Sequence, residues 1–298
     1  WNSQARASRR LESRCGLAGK PKEARLLMRL RMDRSVARFF FVTYCISWAF
    51  WAPMVIAGIE NRLLLIAGTF GPTLAALLLT AHESGRRGVR HLLQRFLIWR
   101  VGVRWYLFAF LSTAAIVLVA LGIFVALGGA QPQFNDPRQI YLVLVVFAYV
   151  LLLSVLGEEA GWRGYALPRL QAKQSALAAS LVIGVVWGFW HLPLFWIEGN
   201  FHQTIPLSLF VLQDVALAIV MTWLYNSTGG SLLLVSLFHA ASNTTLGVLP
   251  ILPMDTGGDL APLWIAVILL WLVAAVIVIV TGPARLSRAA DQPGPALR

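Results

Sequence analysis

Eight stretches of about 20 apolar residues divide this chain, at 39–59, 63–81, 105–129, 140–160, 175–197, 207–226, 230–250 and 262–281. A hydrocarbon core about 30 Å thick takes roughly 20 residues of helix to cross, and backbone exposed to lipid must satisfy its own hydrogen bonds, so each run is read as a membrane helix. The expected fold class is therefore all-α, a polytopic membrane protein with eight transmembrane helices. Composition agrees: 58% of the 298 residues are apolar or aromatic and 13% are charged, where a soluble domain carries about a quarter charged residues. A soluble globule, a collagen-like chain and a disordered chain are all excluded.

Charge supplies the orientation. Residues 1–38 hold 11 of the 25 Lys and Arg, the 82–104 connection 6, the 161–174 connection 3 and the C-terminal tail 3, leaving Arg62 and Arg138 for the other side. The positive-inside rule then places both termini in the cytoplasm. The domain plan is a basic cytoplasmic tail over 1–38, a membrane domain over 39–281 whose functional core lies at 140–250, and a cytoplasmic tail over 282–298. The same clustering explains the net charge of +12 without nucleic acid, which is not expected as a partner. Ala24–Arg38 mixes five Arg with Leu26, Leu27, Met28, Leu30 and Met32, a pattern that suits a helix on anionic headgroups as well as a plain basic flank. No signal peptide is expected, since the first apolar run begins at Phe39 and no small-x-small site follows it. Cys15 and Cys45 are the two cysteines, too few and too separate for a disulfide framework or a paired-cysteine metal site.

A charged side chain at the centre of a membrane helix costs roughly 2.5 to 3.5 kcal/mol on insertion scales, so polar groups inside spans are candidates for function. Three clusters qualify. In Gly157-Glu158-Glu159-Ala-Gly-Trp162-Arg163, Glu159 and Arg163 are four apart in the favourable acid-before-base order. Glu158, about 100° round the helix, is left without a local partner and is suited to take a proton from water. In Trp187-Gly-Phe-Trp190-His191-Leu-Pro193, Trp187 lies one turn before His191 and can orient its ring. In His239-Ala-Ala-Ser-Asn243, two hydrogen-bonding side chains face the same way. Each cluster alone has a plainer reading: a solvated helix end, an interfacial aromatic belt, and glue between helices.

Together they say more. With Gln171–Ser175 as the tip of an antiparallel helix pair, Glu158 and His191 lie at similar distances from the tip and reach similar depth at roughly 1.5 Å per residue. This requires the fourth helix to continue to about Arg169, past Pro168. A carboxylate, two imidazoles and an amide from the fourth, fifth and seventh spans then converge within the bilayer.

Glu158-Glu159-x-x-x-Arg163, aromatic-x-x-x-His191 and His239-x-x-x-Asn243, in that order on successive spans, resemble the CAAX protease and bacteriocin-processing (CPBP, or Abi) family of intramembrane proteases. The motifs cover residues 157 to 243, with Trp187 and Trp162 standing where Phe is common. The resemblance implies endoproteolysis. Glu158, helped by His191, activates water; His239 and Asn243 stabilise the oxyanion; Glu159, Arg163 and Trp187 support the site. Family members are also labelled metalloproteases, and Glu158, His191 and His239 form a His2Glu set of the kind that holds catalytic zinc. The sequence leaves the cofactor open between zinc and none, and favours a metal-independent mechanism because Asn243 is a poor zinc ligand and a good donor to developing negative charge.

Other intramembrane protease signatures are missing: there is no H-E-x-x-H and no G-x-S-x-G, and Thr256-Gly-Gly-Asp259 misses the aspartyl pattern by one residue. Two other classes stand beside the protease: a non-catalytic scaffold or immunity protein of the same family, and a transporter using Glu, His, Asn and Asp214 as a proton relay. The transporter lacks the expected inverted repeat. The partners implied are the lipid bilayer and a peptide, membrane-protein or CAAX-like substrate, and the expected setting is a bacterial plasma membrane.

Overall fold

The computed structural model describes residues 34–133, 141–153 and 155–288. The tail up to residue 33, with most of the Ala24–Arg38 segment, Arg138, and residues 289–298 lie outside them. In chain order the helices are α1 (Arg34–Ala57), α2 (Arg62–Thr69), α3 (Gly71–Gln94), α4 (Val103–Ala126), α5 (Val143–Leu153), α6 (Leu167–Gln171), α7 (Ala176–Trp190), α8 (Leu207–Ser227), α9 (Leu232–Val248) and α10 (Ala261–Thr281). Among the described residues no strand occurs.

Each of the eight apolar runs falls on helix, but they are not alike. Five helical segments, Arg34–Ala57, Val103–Ala126, Ala176–Trp196, Leu207–Ser227 and Ala261–Thr281, are long and apolar enough to cross a membrane, and up to seven are if each of two bent pairs counts as one span. The remaining run, α9, has 17 residues, about 26 Å at 1.5 Å per residue. The second run is the bent pair α2 and α3, broken by 43°. Asn61 caps α2 by accepting from the backbone N–H groups of Leu63 and Leu64, and Pro72 sits in the first turn of α3, where its missing N–H costs nothing.

The fourth run departs most from expectation. A continuous α-helix to Arg169 is not formed. After α5 the chain makes a 3-10 turn at Val155–Gly157, a π-helix at Ala160–Ala166 and only then α6, with a 41° bend. Pro168 at the start of α6 is one physical reason, since it donates no hydrogen bond to the preceding turn. The hairpin tip is where the sequence places it: α6 ends at Gln171 and Ser175 caps α7, accepting from Ala178 N–H.

α8 is the most buried of the long helices and packs closely on α7. A Cβ at Gly184 would sit 2.6 Å from the Cα of Val215, so only glycine permits that approach. Side-chain and backbone bonds tie the hairpin tip to its neighbours: Gln171 bonds Asn226, Asn226 donates to the carbonyl of Arg285, and Ala176 N–H donates to that of Ala284. Arg95 meets the Tyr225 hydroxyl, and Ser231 donates to Ile98 O. These contacts gather one end of the molecule, where Arg86, Arg87, Arg90, Arg169 and Lys173 also lie by sequence. The opposite end is built from 57–62, 191–206 and 249–260; one groove there is shared by Glu60, Arg62, Glu198, Phe201 and Met254. Within α3, Gly85 leaves the helical region (φ 61°, ψ −161°), and the exposed Arg86, Arg87 and Arg90 follow it.

Candidate active site

Two adjacent carboxylates, Glu158 and Glu159, are buried immediately before the π-helical stretch. Glu158 is 2% exposed, and Glu159 and Arg163 are fully buried. The backbone of this segment is held against the start of α3: a Cβ at Gly161 would lie 2.5 Å from the carbonyl oxygen of Pro72, and one at Gly157 2.6 Å from that of Thr69. Thr73 donates from its hydroxyl to Leu156 O.

Each carboxylate has its own partners. Glu158 accepts a hydrogen bond at Oε2 from the indole Nε1–H of Trp187, 2.7 Å away. Glu159 Oε1 takes both Arg163 Nη1 at 3.0 Å and His239 Nδ1 at 2.8 Å. The Arg163 guanidinium also lies over the Trp187 ring, 4.6 Å from its centroid. A fixed positive charge inside a membrane protein demands compensation, and Glu159 and the indole face supply it.

The imidazoles are oriented through their Nδ1 atoms. His191 Nδ1 is 2.9 Å from the Trp187 carbonyl oxygen, so its N–H donates there. Asp214 Oδ2 stands 3.6 Å from the same nitrogen, too far for a good hydrogen bond. His239 places Nδ1 on Glu159, which leaves Nε2 facing the Asn243 amide nitrogen at 3.3 Å. With Nδ1–H donated to Glu159, Nε2 is the acceptor for one amide N–H of Asn243. Trp187 joins the arrangement, binding Glu158 through its indole and His191 through its carbonyl, with the His239 ring edge-on at 5.1 Å.

Glu158, Trp187, His191, His239 and Asn243 all line one cavity of about 490 Å³. Glu159 and Arg163 lie behind it, in contact with lining residues. The sequence-predicted site residues are thus brought together as two layers. In contrast to the expected Glu158–His191 contact, Trp187 stands between them as the common partner.

Two further cavity residues were not assigned by the motifs. Asp214, an ionisable residue in an apolar run, had a place by sequence only in the transporter alternative. His202 was passed over; it is 5% exposed, shares a 2.6 Å hydrogen bond with Asn200, and stacks on His191 with ring centroids 5.7 Å apart. Burial first, and the neighbouring His191 second, lower its pKa well below the usual histidine range. Arg163, counted with the cytoplasmic connection by sequence, belongs to the interior.

Among the described residues no group of three His, Cys, Asp or Glu side chains is placed to hold a metal ion. In the arrangement present, Glu158 Oε2 accepts from the indole N–H and the Nε2 of His239 faces the Asn243 amide, whereas the Nδ1 contacts of His191 and His239 are of the kind that also orient a metal-ligating imidazole.

Fold and site define a class, the all-helical membrane protein with an acid, imidazole and amide cluster set around an interior cavity. A family model for the Rce1-like type II CAAX prenyl endopeptidases matches residues 140–245, the stretch that supplies every motif residue. A CAAX prenyl protease 2 from Methanococcus maripaludis is 25% identical over 228 residues, covering 72% of this chain and 84% of that protein. Over the stretch that carries its motifs, the chain is thus similar to CAAX-type prenyl endopeptidases.

Proposed function

We propose that the protein is an intramembrane endopeptidase in which Glu158 activates water without a metal. The observation that carries this reading is the pairing at Glu158: Trp187 fixes one carboxylate oxygen, which leaves the other for a water in the cavity. Glu158 takes a proton from that water as its oxygen attacks the peptide carbonyl carbon. The other N–H of Asn243, with its amide oriented by His239, meets the oxyanion that forms. The proton passes to the leaving amine as the C–N bond breaks, giving an acid and an amine. His191, held by the Trp187 carbonyl, presents Nε2 to the same cavity and assists the water.

The donor arrangement supports a glutamate mechanism over zinc, because the His239 nitrogen a ligand role would need, Nε2, is already met by the Asn243 amide. The CAAX prenyl protease name of the archaeal relative supports a lipidated or membrane-associated polypeptide as substrate. The test is a purified Glu158→Gln variant beside wild type, each assayed on quenched peptides before and after exhaustive chelation. Wild type should keep full activity after chelation, with zinc below about a tenth of protein, and Glu158→Gln should show none. Stoichiometric zinc that disappears in both His191→Ala and His239→Ala would overturn the metal-independent mechanism.

A further inference from the structure

The cavity does not open toward the basic end of the molecule. Its lining takes Asn200 and Phe201 from the connection before α8 and Met254 and Asp255 from the one before α10, and none of the residues at the hairpin tip, the 227–231 turn or 282–288. α7 enters at the basic end and carries His191 one residue past its last turn, about 22 Å away along the helix. The layer of Glu159 and Arg163 therefore lies on the basic side of the cavity, and the lining loops, 197–205 and 252–255, belong to the opposite end.

Charge says which side of the membrane each end faces. Among the described residues, and with the buried Arg163 set aside, 12 Lys and Arg belong to the basic end against Arg62 alone at the other. The described connections of that other end carry Glu60, Glu198, Asp255 and Asp259 beside Arg62. An asymmetry of this size sets orientation in the bilayer.

We propose that the cavity opens to the extracytoplasmic face, so that the substrate is a polypeptide presented from that side. The inference rests on the endopeptidase reading for the word substrate, and on geometry and charge alone for the side. Around Glu158 the walls are Trp51, Leu65, Ile66, Val150 and Leu246, which suits apolar residues flanking the scissile bond, and the polar groups come at the mouth with Asn200 and Asp255. The substrate chemistry is an apolar, membrane-proximal segment of an exported or membrane-anchored polypeptide.

Two measurements decide it. In a Cys15→Ser, Cys45→Ser background, Glu60→Cys and Arg90→Cys, both at exposed positions, are treated with a membrane-impermeant maleimide. Glu60→Cys should label in intact cells and Arg90→Cys only after permeabilisation; the reverse pattern overturns the proposal. The same proteins in phosphatidylethanolamine and phosphatidylglycerol vesicles are then given a soluble quenched peptide from outside. Cleavage should rise with the fraction of molecules whose residue 60 faces outward, and cleavage that follows residue 90 overturns the proposal. Cleavage surviving in Glu158→Gln would sink the endopeptidase reading instead, while the labels would still report the side.

Discussion

Glu158 and Glu159 are neighbours in sequence with opposite assignments, and the difference comes from what each carboxylate touches. Glu159 is locked between Arg163 and His239. Glu159→Gln leaves a buried guanidinium without its counter-ion, a loss of about 3 to 5 kcal/mol, and thermal unfolding in detergent should show a lowered Tm along with lost activity. Glu158→Gln keeps volume and the indole contact, so its Tm should stay near wild type. Trp187→Phe separates the indole N–H from the ring. A hydrogen bond to a charged group is worth about 1.5 to 3 kcal/mol, so kcat should fall about 10- to 100-fold while the His191 contact to the backbone carbonyl survives. Unchanged kcat in Trp187→Phe would remove the indole from the mechanism. Glu159 with Arg163 was legible from spacing alone. The link from Glu159 to His239 was not, because it joins residues 80 positions apart and no local pattern encodes which carboxylate of a pair an imidazole from another helix will choose.

At the level of elements, apolar length found the helices other than the short α6 and misjudged the one that matters most. The fourth run reads as a single span, yet it contains a 3-10 turn, a π-helix and a bend. Hydropathy measures how apolar a segment is, not how its backbone is wound, so the change of winding was invisible. Its cues are Gly157, Gly161, Gly164 and Pro168 in one short stretch, and their reason is contact: the carbonyls of Thr69 and Pro72 occupy the space a side chain would need. Gly161→Val should push the π-helix off α3 and move both carboxylates, with a drop in activity and in Tm. Gly122→Ala, at a helical position with nothing within 4 Å, is the control and should leave both near wild type. Equal behaviour of the two variants would refute the packing role. The antiparallel pair of the fourth and fifth runs was read from its tip at Gln171–Ser175, but the placing of Asp214 on α8 beside His191 depended on a registry between helices that one sequence does not state.

For the whole molecule, the sided distribution of Lys and Arg and the position of the cavity mouth make one statement about orientation. Reporter fusions within 84–104 and after Arg298 should report the cytoplasm, and one near Gly257 the far side. A far-side C-terminus would require an odd number of crossings and would break the two-ended arrangement of charge. The break at Gly85 carries this orientation a step further. Beyond it the chain stops being an apolar crossing and displays Arg86, Arg87 and Arg90 to the surroundings, where each cation near an anionic surface gains about 1 kcal/mol. That elbow is the natural waterline of the helix, where an apolar crossing gives way to a cationic surface. Because the backbone at Gly161 packs on the first turn of the same helix, anionic lipid at the elbow is expected to bias the depth at which Glu158 sits.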